Sequence, residues 1–207
     1  MATFDERARD WDTPERIERA GRVAAAIQET VPLGPADRVI DVGAGTGLLG
    51  LALVDAVGEI VLADPSAGMI DVAREKLASA DLVSVSAIRH DLLVDPPPAD
   101  RFDVAVSLLV LHHIEDTAAA LAAIRNLVRP GGRIALADLD TEDGSFHTAE
   151  AEGIHHLGFD RAALTQLATA AGFEDVATRT AAVLEEDGGR RYPMFLLTGQ
   201  RPNARTA

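Results

Sequence analysis

Apolar positions along the chain fall into two rhythms. Short, β-branched or continuous runs at residues 39–42, 59–63, 82–88, 102–107 and 133–137 read as strands buried on both faces. Between them, apolar residues recur three and four apart. Ile17, Ala20, Ala24, Ile27 and Val31 share one helical face, and Met69, Ala73, Leu77 and Ala80 another. Leu121, Ile124 and Val128 mark a third, and Leu164, Leu167, Ala168 and Ala171 a fourth. Start signals precede these stretches: Thr13-Pro14, Ser66, Glu115 or Asp116, and Asp160. Pro32, Gly34 and Pro35, then Arg129-Pro130-Gly131-Gly132, and finally Gly172 stop them. Residues 95–100, with three consecutive prolines, form a loop. Residues 176–183 and 192–198 read as two strands joined by the polar turn 185–191. Strands alternating with helices predict one α/β/α domain with a mostly parallel sheet, closed by an antiparallel hairpin.

One junction is unusual. Val39, Ile40 and Val42 run directly into Gly43, Gly45 and Gly47, and Leu48, Leu49, Leu51, Ala52 and Leu53 then open a buried helix reaching to about Val57. A chain leaving a strand this tightly needs positive φ or no Cβ, which glycine supplies. Strand, glycine turn and helix N-terminus together can hold a nucleotide-like ligand against backbone N–H groups. The second strand ends at Asp64, 19 residues after Gly45, near the spacing at which a carboxylate receives ribose hydroxyls.

Composition narrows the partners. The 207 residues are 47% hydrophobic and 25% charged, with a formal net charge of −14 and no cysteine. That is globular composition, with no disulfide framework, thiolate metal site or cysteine nucleophile. A polyanion is repelled at long range, and Arg190-Arg191 is too small a basic patch to offset that, so nucleic acid is disfavoured as a partner. No apolar run reaches a membrane span and no charged-then-apolar leader is seen, so the expectation is a cytoplasmic protein, monomer or homodimer, without membrane contact. The charge favours a small, neutral or cationic substrate.

The glycine stretch fits two fingerprints. Gly45, Gly47 and Gly50 match Gly-x-Gly-x-x-Gly. Asp41, Gly43, Gly45 and Gly47 match Asp-x-Gly-x-Gly-x-Gly, and the strand ending at Val42 makes Gly43 the turn glycine. The second pattern resembles motif I of the class I methyltransferases that use S-adenosylmethionine. Helix, Arg-Pro-Gly-Gly, strand and the final hairpin are similar to the same family, so the likeness covers about residues 36–138 and the C-terminal strands. It implies a Rossmann-like three-layer sandwich with strand order 3-2-1-4-5-7-6 and strand seven antiparallel. Within a single domain, residues 1–35 would be an N-terminal arm and helix, 36–138 the cofactor-binding core, and 139–207 the acceptor-side loop, last helix and hairpin.

The resemblance also implies roles. Gly43, Gly45 and Gly47, with Ala44 and Thr46 between them, would let the backbone approach the methionine moiety, and Asp41 would orient that loop or reach the amino group. Asp64 would take the ribose, beside Pro65 and Met69. Asp91 would receive the adenine amino group while Leu92 flanks the ring, and Ser107 and Leu108 would face the cofactor after strand four. The product would be S-adenosylhomocysteine. Ser107, Leu108, Leu109 and Val110 replace the Asn/Asp-Pro-Pro-Tyr/Phe motif of base and glutamine amino-methyltransferases, which disfavours that chemistry.

Five of the six histidines follow strands four and five: His112, His113, His147, His155 and His156. His113, His147 and His156 are candidates for a general base on the acceptor side, since histidine titrates near neutrality. A structural role, or a metal site with Asp138 or Asp140, are the alternatives. Phe4 and Trp11 in the arm suit either a staple or a lid. The expected activity is methyl transfer to a small-molecule acceptor. A nicotinamide or flavin oxidoreductase, and a non-catalytic domain that binds the cofactor, remain the other classes.

Overall fold

The computed structural model describes residues 3–146, 153–186 and 189–204. In chain order the elements are α1 (Phe4–Arg7), a 3₁₀ turn (Ala8–Asp10), α2 (Pro14–Thr30), β1 (Arg38–Val42), α3 (Leu48–Ala52), β2 (Glu59–Asp64), α4 (Ala67–Ser79), β3 (Val85–Arg89), β4 (Phe102–Leu108), a 3₁₀ turn (Leu111–His113), α5 (Thr117–Leu127), β5 (Val128–Leu139), α6 (Arg161–Ala170), β6 (Glu174–Glu186) and β7 (Arg190–Gln200). The seven strands form one sheet in the order β3-β2-β1-β4-β5-β7-β6, parallel except for β7, which runs antiparallel to both neighbours. This is the expected Rossmann-like topology.

Alternation along each strand divides the core in two. Val39, Leu62, Val104 and Ala135 pack with Val23 and Ile27 of α2, Leu49 of α3 and Ile70 of α4. Ile40, Val61, Ala105 and Ile134 pack on the other face with Leu121 and Ile124 of α5 and Leu164 of α6. Side chains cap the main helices as the sequence indicates: Thr13 for α2, Ser66 for α4, Asp116 for α5 and Asp160 for α6. The winding reverses between β1 and β4, so their carboxyl ends border the crevice where ligands bind in such sheets.

Several local expectations are corrected. Burial of the α2 stripe begins only at Ala20, one turn into the helix, and Ile17 is 52% exposed. Ala52 is exposed, and the helix after the glycine turn stops there and continues as the 3₁₀ turn Val54–Ala56. β3 starts at Val85 rather than residue 82, because Asp81 takes a left-handed conformation (φ 52°) and Leu82 folds back to bond the Leu77 carbonyl. Leu167 is 37% exposed, leaving Leu164 and Ala168 as the buried face of α6. Both strands of the hairpin run longer than expected.

Candidate functional site

The turn after β1 is held by its backbone. The Gly43 and Ala44 N–H groups donate to the Ala63 carbonyl, at 2.8 and 3.0 Å, so the chain bends back over the end of β2. Gly43 (φ 67°), Gly45 (φ 55°) and Gly47 (φ 89°) all lie in the left-handed region. Their surroundings differ. A Cβ on Gly43 would meet Val110 Cγ2 at 2.5 Å, and one on Gly47 would meet Leu62 Cδ1 at 2.6 Å. At Gly45 the nearest atoms, Trp11 Nε1 and Met69 Sδ, are 3.6 and 3.8 Å away. Gly50 is a packing glycine: a Cβ there would strike Leu62 Cδ2, and its N–H donates to Asp41 at 2.9 Å.

Two carboxylates stand behind this turn. Asp41, 1% exposed, has its carboxyl pushed up to about 7. Burial is the main cause, opposed by the Gly50 N–H and reinforced by the negative charge of Asp64. Asp64 accepts from the Gly45 N–H at 2.8 Å and the Ser66 N–H at 2.9 Å. Burial raises its pKa, and those two donors oppose the rise.

A cavity of about 570 Å³ opens above them. Part of it is walled by the ends of β1, β2 and β3 and the residues after them (Asp41, Gly43, Ala44, Gly45, Asp64, Pro65, His90, Asp91 and Leu92) and by Met69 of α4. The rest is walled by Leu108 at the end of β4, the segment after it (Leu109, Val110, His113, Ile114 and Glu115) and Gly153. Phe4, Trp11, Arg16 and Arg19, from the arm and α2, also border it. Leu109 has φ 57°, an uncommon conformation for leucine, and its N–H is fixed to the Ala137 carbonyl at 2.8 Å.

Of the residues singled out by sequence, Thr46, Gly47 and Ser107 are outside this wall. Thr46 is buried, its hydroxyl donating to Asp12, its carbonyl accepting from Lys76 Nζ at 2.8 Å, while Asp12 and Lys76 form an ion pair. Gly47 caps α3 against Leu62. Ser107 is 1% exposed and its hydroxyl has no hydrogen-bond partner among the described residues. Asp91 reaches the cavity, but its Oδ1 accepts from the Leu93 and Val94 N–H groups at 3.0 and 3.2 Å, so one oxygen serves the local turn.

The histidines separate. His113 lines the cavity, its Nδ1 2.9 Å from the Gly153 carbonyl and its ring edge-on to Phe4 at 5.3 Å. His156 does not line it. Its Nε2 lies 3.0 Å from the Ile114 carbonyl and 3.2 Å from both the Glu115 carbonyl and the Thr117 hydroxyl, pinning its loop to the start of α5. His112 is buried, with Nδ1 2.7 Å from Asp138 Oδ1, and its carbonyl accepts from the His155 and His156 N–H groups. His147 lies outside the described residues. Asp140 is engaged by Arg161 at 2.6 and 2.7 Å, and no cluster of three potential metal ligands occurs among the described residues. His90 was missed by sequence reasoning. It follows β3 directly, donates its N–H to the Asp64 carbonyl and is 8% exposed in the wall. Its adjacency to Asp91 was the available signal.

The chain is similar to known proteins over much of its length. The family model described as a methyltransferase domain matches residues 40–134. An uncharacterized methyltransferase of Mycobacterium tuberculosis is 37% identical over 112 residues, 54% of this chain and 55% of the relative. A demethylmenaquinone methyltransferase of Clavibacter sepedonicus is 32% identical over 145 residues, covering 68% of this chain and 58% of the relative. The chain thus spans little more than half the length of these curated relatives. Among solved structures, a chain from a complex between the Haloferax volcanii Trm112 methyltransferase activator and a methyltransferase superposes with a TM-score of 0.80 at 22% identity, over 98% of this chain and 99% of that one. Phosphoethanolamine N-methyltransferase 2 of Haemonchus contortus, in complex with S-adenosyl-L-methionine, gives 0.72 at 15% identity, over 88% and 52%. Likeness at these identities shows the shared fold.

Proposed function

This chain belongs to the class I S-adenosylmethionine-dependent methyltransferase family, and from that premise we propose that it transfers a methyl group from S-adenosylmethionine to a small-molecule acceptor in the cytoplasm. The observation that carries the reading is the pairing of Asp41 and Asp64 around one open glycine, Gly45, at the floor of a single cavity.

The residues present fit the cofactor. Gly45 leaves room for close backbone approach. Asp64 keeps acceptor capacity on each oxygen beyond its bonds to Gly45 and Ser66, which suits a diol. Asp41 is a desolvated carboxyl that a cationic amino group would hold ionised. Arg16, stacked on Trp11 at 4.0 Å next to the same turn, would meet the cofactor's carboxylate. His90, Asp91, Leu92 and Met69 would enclose the base. When bound, the cofactor supplies an electrophilic methyl on sulfur, with a neutral thioether as leaving group. The protein therefore has no departing anion to stabilise. Its tasks are alignment and exclusion of water, to which Phe4, Trp11, Leu109 and Val110 contribute as walls.

His113 is the proposed base. Its Nδ1 faces a carbonyl oxygen, so the neutral ring carries its proton there and leaves Nε2 as the acceptor. The antiparallel β7, in place of a second parallel half, argues against the nicotinamide reading. Calorimetric titration with S-adenosylmethionine, S-adenosylhomocysteine and NAD tests the proposal. Micromolar binding of the first two and none of NAD is expected. NAD binding, or failure of both adenosyl ligands to bind, sinks it.

A further inference from the structure

The turn that carries His113 is bolted to the end of β5 by one carboxyl group. Asp138 and His112 are both buried, and neither lines the cavity. Asp138 Oδ2 accepts from the His112 N–H at 3.2 Å. Its Oδ1 accepts from the Leu139 N–H at 2.8 Å and lies 2.7 Å from His112 Nδ1. His112 is thus gripped by main chain and ring at once. A carboxyl group and an imidazole set together in an apolar interior cost more than hydrocarbon of the same volume. What such a pair can supply is a single geometry.

That geometry reaches His113 by two routes. The first is direct: the His112 and His113 rings lie 4.1 Å apart, tilted by 44°. The second passes through the chain. The His112 carbonyl accepts from the His155 and His156 N–H groups, at 2.9 and 3.2 Å. Two residues before His155 stands Gly153, whose carbonyl is 2.9 Å from His113 Nδ1. A carbonyl oxygen only accepts, so a neutral His113 ring carries its proton on Nδ1. Gly153 has φ 72°, so its carbonyl is aimed by a backbone turn that other residues adopt poorly. The oxygen that fixes the His113 proton is therefore held by the residue next to His113, and that residue by Asp138.

We propose that Asp138 and His112 are positioning residues: together they hold the Gly153 carbonyl against His113 and so keep the His113 ring in one tautomer and one orientation at the cavity wall. The inference rests on the reading of His113 as the base for its catalytic use, but the geometry is measurable without an acceptor.

The experiment records ring nitrogen NMR shifts of the full chain, labelled at histidine, at about pH 8 where histidine is neutral. Calorimetry with S-adenosylhomocysteine runs beside it. Signals missing from His113→Ala identify that ring. The unaltered chain is expected to show His113 as the Nδ1–H tautomer alone. Asp138→Asn turns one acceptor oxygen into a donor, and His112→Ala removes the ring. Both are expected to draw the two His113 nitrogen shifts together, as the proton spreads over both nitrogens. His112→Asn, whose amide again offers an N–H to Asp138, is expected to restore much of the separation. S-adenosylhomocysteine affinity is expected to stay within about twofold in all three. A single Nδ1–H tautomer that persists in both Asp138→Asn and His112→Ala overturns the proposal, however far their melting temperatures fall, since the pair is then packing alone. A mixed or Nε2–H ring in the unaltered chain overturns it too. So does loss of S-adenosylhomocysteine binding in these variants, which would spread the pair's effect over the whole cavity. Should Asp138→Asn not fold, the two His112 variants carry the comparison. If His113→Ala keeps full turnover on an acceptor, the base reading falls, and the tautomer comparison still decides this one.

Discussion

Trp11 Nε1 stands 3.6 Å from the point a Cβ on Gly45 would occupy. The arm thus closes on the one glycine of the turn that has open space beside it. An alanine at Gly45 would fit sterically and suffer only the left-handed backbone, about 1 kcal/mol. Valine adds branched bulk on the ligand side. Gly45→Val is expected to remain folded, to melt a few degrees lower, and to lose S-adenosylhomocysteine binding by more than about a hundredfold. Calorimetry beside a thermal melt measures both. Normal binding by this variant would make the turn purely architectural.

Asp64→Ala acts twice. It removes the proposed ribose acceptor, which weakens cofactor binding by about 1–3 kcal/mol. It also strips the Gly45 and Ser66 N–H groups of their partner, so the free protein loses stability of similar size. Asp64→Asn keeps one acceptor oxygen and is expected to fall between. Affinity unchanged in the alanine variant would remove Asp64 from the site.

Asp41 sets a pH dependence with a defined sign. Its folded carboxyl is raised to about 7, so from the ordinary carboxylate range up to pH 7 the folded state holds a proton that the unfolded chain has released. Stability of the free protein therefore falls as pH rises through that window and levels off above it. Cofactor affinity runs the opposite way, rising to a plateau above pH 7, because the ionised form receives the amino group. Asp64 is shifted in the same direction, so Asp41→Asn isolates the Asp41 part. Denaturant melts and calorimetry between pH 5 and 8.5 test this. An Asn variant with an unaltered profile contradicts it.

His113→Ala and His156→Ala are expected to fail differently. The first loses turnover on an identified acceptor by about 10²–10⁴-fold while S-adenosylhomocysteine still binds. The second loses about 0.5–1.5 kcal/mol of stability, since partly exposed carbonyls of the 3₁₀–α5 junction give up their donor, and turnover per folded molecule persists. Equal loss of turnover in both would return His156 to the reaction.

The arm is fastened at several points. Asp5 accepts from the Ser66 hydroxyl and the Gly68 N–H, Arg9 meets Glu75, and Asp12 pairs with Lys76 and Thr46. Asp12→Ala is expected to speed S-adenosylhomocysteine release several-fold with little change in melting temperature, measurable by stopped-flow fluorescence of Trp11. An unchanged off-rate would leave the arm as a staple only.

The parallel strands, the glycine turn and four helix caps were legible because each depends on local signals: β-branched runs, glycine, and Ser, Thr or Asp before an apolar stripe; the strand order followed only from the family resemblance. What escaped was set by distant neighbours. Periodicity put Ile17 and Leu167 on buried faces, yet what covers a helix turn is decided by elements far away in sequence. His156 and His113 are indistinguishable in sequence, and only the fold gives one three oxygen neighbours and the other a cavity. Gly50 completes the dinucleotide pattern in the sequence but packs against Leu62 in space.

β7 lies between β5 and β6, although both precede it in the chain. During synthesis β6 has no sheet partner until β7 leaves the ribosome, and β5 shows an open edge whose pairing residues include Ala135 and Leu136. Met194, Phe195, Leu196 and Leu197, all fully buried in the finished sheet, enter last and join both cores at once. Completion of the fold is thus postponed to its most central late-arriving segment. Truncations that remove β7 should leave a chain prone to edge-to-edge association rather than a smaller stable domain.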